Sequence, residues 1–190
     1  MLKNRNILLL LIALLTLPYV NNDLFAHEIN KIDDLLLELE NKISIQDPVF
    51  TFNPKRWGII EGVVSDEVAL KNKKIINSVM ARLPGLGINI MEIGAMDAYF
   101  KVDVNKIGRL ENHEGSIKIP SDFHLKMSDD TFLRVQPNSA ATYSLMTTYL
   151  TDNSKISGGN LIGDRFEHDY SPFTDAAGVK RNEHGWGHLL

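Results

Sequence analysis

Between residues 28 and 45 the apolar side chains Ile32, Leu36, Leu39 and Ile43 recur at steps of four, three and four, with Asp33, Asp34, Glu38, Glu40 and Lys42 between them. A helix brings positions three and four apart onto one face, so this spacing predicts an amphipathic helix. Two heptads are too few for a coiled-coil stalk, which leaves a helix capping the end of a larger fold. Asp47-Pro48 stops it, because proline cannot continue a helix and restricts the residue before it. A loop carrying Asn53-Pro54 and Trp57-Gly58 is expected next, Trp57 in a core or capping role. Helical spacing returns at Val68, Ile75, Ile76, Val79 and Leu83, behind the capping residue Ser65 and ahead of Pro84-Gly85. That predicts a second helix over 66–82.

Beyond residue 85 no helix-length pattern recurs. "GINIMEIG" (87–94) reads as a buried strand, and "YFKVDV" (99–104), "SIKI" (116–119), "FHLKM" (123–127), "TFLRV" (131–135) and "YSLMTTYL" (143–150) alternate or run apolar. Turns built from Pro120-Ser121-Asp122, Ser128-Asp129-Asp130 and Pro137-Asn138-Ser139 separate them. Such strands suit a sandwich, a barrel or a solenoid of stacked coils. Polar corners, with no Asn-Gly or Asp-Gly two-residue turn, favour coils over hairpins.

The N-terminus changes the picture. Lys3 and Arg5 precede an apolar run from Ile7 to Leu17, and "LFA" ends on Ala26. A run this short falls below the ~20 apolar residues needed to span a bilayer, so residues 1–26 read as a secretory signal peptide rather than an anchor. The expected destination is the periplasm, the cell surface or the medium. The predicted units are therefore the signal at 1–26, a helix plus linker at 27–64 and a β domain at 65–190. The chain holds no cysteine, which excludes disulfides, thiolate metal sites and cysteine nucleophiles. Its formal net charge of −4 gives no basic field, so nucleic acid is not the expected partner.

Three blocks then stand out: "IKIPSDFHLKMSDDTFLRVQPNSAATYSLM" (117–146), "NSKISGGNLIGDRFEHDYS" (153–171) and "EHGWGHL" (183–189). In order and spacing they resemble the opening coils of exported right-handed parallel β-helix proteins of the pectate-lyase-like superfamily. The resemblance covers about residues 65–189, most closely after 115. "IGAMDAYFKVDV" stands where the family has a Pro-x-Gly-x-Tyr turn, and "PFTDAAGVKRN" (172–182) is a longer connection than usual. The resemblance implies a mainly β fold, a right-handed parallel β-helix, preceded by the signal peptide and the two helices. It also implies an acidic polysaccharide as partner, either cleaved or epimerised, or only bound, as in tailspike and adhesin relatives.

Fold does not settle activity, so the candidate residues are weighed by chemistry. An eliminating lyase or epimerase needs a cation for the substrate carboxylate, a base for the adjacent proton and an acid for the leaving oxygen. Arg165, His168 and Asp169 offer those types, with Asp164, Tyr170, His184, Trp186 and His188 as substrate-binding candidates. The simpler alternative is a corner in which Asp164 caps backbone amides, Arg165 pairs with Asp164 or Glu167, and Tyr170 packs on a neighbouring coil. Turn chemistry alone accounts for Gly, Asp and Asn at strand ends, so the corner is preferred. "EHGWGH" is not a zinc-protease motif, since Glu183 precedes His184 and Gly185 and Gly187 disfavour a helix. No resident metal or cofactor is expected; a divalent cation held by His168, Asp169, His184 and His188 is the remaining option. Trp186 suits a sugar platform or a coil-end plug. The chain ends on "GHLL", apolar and mid-strand, so it reads as a truncated frame whose central coils are missing and which is inactive as a fragment.

Overall fold

The computed structural model describes residues 48–103, 115–140 and 142–171, with 34–35, 37–38, 173–174, 178, 180–181 and 186–188. The expected signal peptide lies outside the described residues. Of the first predicted helix, residues 34–35 and 37–38 are helical, and Leu35 packs on the core. The described chain is mainly β, and almost all its strands pair in parallel.

Strand β1 (Val49–Phe52) and helix α1 (Pro54–Trp57) occupy what the sequence suggested was a loop. Asn53 caps α1 by accepting from the Arg56 amide, and proline at the first helical turn lacks only an N–H that would be unpaired anyway. Trp57 is buried and stacks on Phe52, its ring edge-on to Phe50, which anchors this segment to the core as expected. Helix α2 (Asp66–Arg82) begins at Ser65, whose hydroxyl accepts from the Val68 amide, and gives way to a tight turn at Leu83–Leu86. Both ends fall where the sequence put them.

Strands β2 (Ile90–Ile93), β5 (His124–Met127) and β9 (Lys155–Ser157) stack in one sheet, with β1 beside β2. Strands β3 (Met96–Phe100), β6 (Thr131–Val135) and β10 (Asn160–Ile162) form a second. Strand β4 (Ile117–Lys118) pairs with β8 (Met146–Thr147), and β7 (Thr142–Ser144) with β13 (Trp186–His188). Ile90 faces His124, which faces Lys155; Asp97 faces Phe132, which faces Asn160. From β2 onward these partners lie about 28 to 35 residues apart along the chain, whereas β1 and β2, Val49 opposite Ile90, are 41 apart. The β7–β13 pair is wider, and the antiparallel hairpin β11 (Phe173–Thr174) and β12 (Lys180–Arg181) sits in the extra length.

Several boundaries shift from expectation. The strand expected at 99–104 is β3 and ends at Phe100, and "YSLMTTYL" divides into β7 and β8 around Leu145. "NLI" (160–162) of the second quoted block is strand β10. Period-two alternation sends Met91, Ile93, Leu125, Met127, Ala98, Phe100, Leu133 and Val135 inward, in columns set by the parallel register. Against this core α2 buries Ala69, Ile75, Ile76, Val79 and Met80 and lies along β3 and β4, the edge strands of their sheets. Asn72, fully buried in the same face, accepts from the Ile60 amide and donates to the carbonyls of Ile60 and Tyr99. Strand β1, paired to β2, is the outer strand of the first sheet at the same end.

Corners recur as strands do. Asp122 and Asn153, in equivalent turns, both take left-handed φ values, 53° and 54°, and Asn153 donates to the Asp122 carboxylate at 2.9 Å. Gly158 and Gly159 also have positive φ. A Cβ on Gly158 would stand 1.9 Å from the Met127 carbonyl oxygen, so the glycine pair is required by the close approach of one turn to the strand beneath it.

Candidate functional site

Residues 163–171 follow β10 and fold over its end. Asp164 turns inward, while Arg165, Phe166 and Glu167 ride on a turn closed by the Glu167 amide donating to the Asp164 carbonyl. The Asp164 carboxylate is buried and fully occupied. One oxygen accepts from the Asn138 amide at 3.1 Å, from the Asn138 side chain at 2.9 Å and from His168 Nδ1 at 2.9 Å; the other accepts from the Tyr143 hydroxyl. Burial, and then the bond to Asp164, push the Tyr143 phenol well above its ordinary value. His168 is buried to the same degree as its partner, with Tyr170 4.6 Å away, ring to ring. This is a structural knot that ties the 164–170 turn to Asn138 and to Tyr143 of β7. The chemistry was foreseen, since Asp164 does cap a backbone amide, but the amide belongs to Asn138.

The remaining block residues face outward. Arg165 lies 5.9 Å from the Phe166 ring rather than against Asp164 or Glu167, and Phe166 is 96% exposed. Tyr170 is about half exposed and donates to the Arg165 carbonyl rather than packing wholly away. Asp169 accepts from the Ser171 amide at 2.9 Å, and the Ser171 side chain, then that amide, hold its carboxyl below the usual range. The three residues expected to share a catalytic face are therefore divided: His168 is inside, whereas Arg165 and Asp169 are on the surface. His184 lies outside the described residues. Trp186 and His188 belong to β13, whose backbone alone is described. Among the described residues no cluster of three His, Asp or Glu side chains could hold a metal ion.

Sequence reasoning missed the outer face of the second sheet. Alternation turns Asp97, Tyr99, Phe132 and Arg134 outward on β3 and β6, and the register sets Arg134 between Tyr99 and Ile162. The guanidinium is held flat by Asp97, with Nε and Nη2 donating to its two oxygens at 2.5 and 3.0 Å. It lies 5.9 Å from the Tyr99 ring centre and 5.4 Å from that of Phe132. A hollow of about 150 Å³ between Tyr99, Arg134, Ile162, Asp164, Phe166 and Glu167 joins this face to the 164–170 turn. Apolar ring faces beside fixed hydrogen-bonding groups suit a sugar, which presents C–H faces and hydroxyl edges together.

Two curated proteins from Bacillus subtilis (strain 168) are similar to part of the chain. The SPbeta prophage-derived uncharacterized protein YorA is 40% identical over 73 residues, 38% of this chain and 12% of that protein. The uncharacterized protein YclG is 35% identical over 92 residues, 48% of this chain and 14% of that protein. The similarity thus spans under a sixth of either relative's length. No family profile and no solved structure matches the chain.

Proposed function

We propose that the chain is the opening part of an exported right-handed parallel β-helix, of the kind found in the pectate-lyase-like superfamily, and that it binds an acidic polysaccharide without cleaving it. The observation that carries the binding is the outward row of Tyr99, Phe132 and Arg134, continued by the exposed Phe166 and Arg165 across the adjoining hollow. Rings and planar guanidinium groups spaced along a sheet face suit a polymer better than a single small molecule. Support for the β-helix comes from parallel partners about 30 residues apart, inward columns of apolar side chains and corners repeated at Asp122 and Asn153. Binding is preferred to cleavage because His168, the acid-base candidate, is enclosed against Asp164, where a polymer does not reach it.

Electrophoresis through gels containing polygalacturonate or alginate, beside a neutral-polymer gel, tests this directly. Retardation only in the acidic gels, weakened by Phe132→Ala and Arg134→Ala, is expected, with no unsaturated product released. Equal mobility in every gel defeats the binding assignment. Unsaturated product that disappears with His168→Ala establishes the lyase instead.

A further inference from the structure

The outer face of the first sheet carries a cross-strand pair that the preceding reading leaves idle. Met91, Ile93, Leu125 and Met127 point inward, so alternation turns Glu92 of β2, His124 and Lys126 of β5, and Lys155 and Ser157 of β9 the other way. The register sets His124 beside Lys155 and Lys126 beside Ser157. His124 nevertheless reaches diagonally, and its Nε2 stands 2.7 Å from the Ser157 hydroxyl oxygen. Both side chains belong to residues that remain partly open to solvent.

Three observations separate this pair from an ordinary turn hydroxyl. Ser116, Thr131 and Ser154 donate their hydroxyls to the backbone carbonyls of Ser144, Gly94 and Pro120, as short polar side chains commonly do, whereas the Ser157 hydroxyl meets a base. His124 is held below its ordinary 6.5, first by burial and then by Lys155 and Lys126, with Glu92 pulling the other way, so the imidazole is neutral at neutral pH. The chain leaves β9 through Gly158 and Gly159, at φ 68° and 69°, so no side chain follows Ser157 over the end of the strand.

A hydroxyl is a weak nucleophile until a base within hydrogen-bond reach takes its proton. We propose that Ser157 and His124 form a hydrolytic dyad for short-chain carboxylic esters. Ser157 Oγ adds to the ester carbonyl carbon as its proton passes to His124 Nε2. The tetrahedral oxyanion collapses, the bond to the alkoxy oxygen breaks, and the imidazolium gives its proton to the departing alkoxide. Water then attacks the acyl-serine: His124 takes a proton from the water and returns it to Oγ, which releases the carboxylic acid and restores both residues. Lys155, beside His124 in the register, supplies positive charge for the oxyanion. The acyl group is short because the face around the dyad carries Lys155 and the Glu92–Lys126 pair, joined at 2.7 Å, rather than an apolar channel. This activity needs no uronic acid and breaks no glycosidic bond, so it stands or falls apart from the polysaccharide reading.

Treating the full chain with diisopropyl fluorophosphate, and separately with p-nitrophenyl acetate, tests the dyad, with adducts mapped by mass spectrometry after digestion. The fluorophosphate is expected to label Ser157 with loss of fluoride, and the acetate to be turned over repeatedly. Ser157→Ala should abolish both reactions. His124→Gln, whose amide still hydrogen-bonds but takes no proton, should slow both by about a hundredfold or more. Ser121→Ala, in a turn away from the dyad, should change neither. In the parent chain the rate should rise with pH and reach half its maximum below pH 6.5, because His124 acts only when deprotonated. Circular dichroism verifies that the variants fold, and the adduct map and pH profile of the parent chain decide alone where one does not. An unlabelled chain, adducts on Lys126 or Lys155 in place of Ser157, acetyl-Ser157 that accumulates without turnover, or His124→Gln as fast as the parent overturns the proposal.

Discussion

Replacing Asp164 by alanine removes an acceptor that four donors share: the Asn138 amide, the Asn138 side chain, His168 Nδ1 and the Tyr143 hydroxyl. All sit in buried surroundings, so few can turn to bulk water. A buried donor left unpaired costs about 1 to 3 kcal/mol, and water entering the vacated space offsets part of the sum. Breaking a buried charged network by removing one member costs about 3 to 5 kcal/mol, and that range is expected here. For a chain of this size 1 kcal/mol corresponds to roughly 2 to 4 °C, which gives a fall in Tm of about 6 to 20 °C. Urea unfolding followed by circular dichroism measures the change, with Arg165→Ala as companion. The exposed Arg165 should alter stability by no more than about 0.5 kcal/mol. If Asp164→Ala unfolds within about 1 kcal/mol of the parent chain, Asp164 is not a structural knot. A catalytic role for the block would then be open again.

Lys73→Met should stabilise the chain at pH 7. The folded pKa of about 8 lies below the ordinary 10.5, so folding around the charged ammonium carries a cost below about pH 8 that is relieved as pH rises to 10.5. The variant's advantage in Tm should therefore shrink over that interval, and an advantage that grows with pH contradicts the assignment. Gly158→Ala should destabilise by about 3 kcal/mol or more, since the left-handed strain of about 1 to 2 kcal/mol is joined by a collision with the Met127 carbonyl. Gly62→Ala, where φ is 78° and no atom lies within 4 Å, should show the strain alone in the same thermal melts.

What was legible in the sequence was local. Ser65, Pro84-Gly85 and the two-residue alternation of "FHLKM" and "TFLRV" fix helix ends and inward faces without knowledge of any partner. Strand β1 escaped notice because its four residues, set between Pro48 and Asn53-Pro54, carry little signal, and the strand exists only through β2, its partner some 40 residues later. "NLI" likewise became a strand because β6 offers it an edge. At Asp164 the residue type suggested a cap, but its partners Asn138 and Tyr143 lie 26 and 21 residues back.

The near-constant interval between paired strands bears on how the molecule comes into being in time. Closing a loop of about 30 residues costs roughly 3 kcal/mol beyond a constant, and the logarithm hardly distinguishes 28 residues from 35. Ile90 to His124 and His124 to Lys155 therefore meet nearly the same entropic barrier, however much chain has gone before. From β2 onward every parallel pair joins a strand to one earlier in the chain, with β1 and α2 at the N-terminal end of the stack. A polypeptide emerging from its N-terminus can thus assemble in order of synthesis, and lengthening it adds steps without making any single step harder.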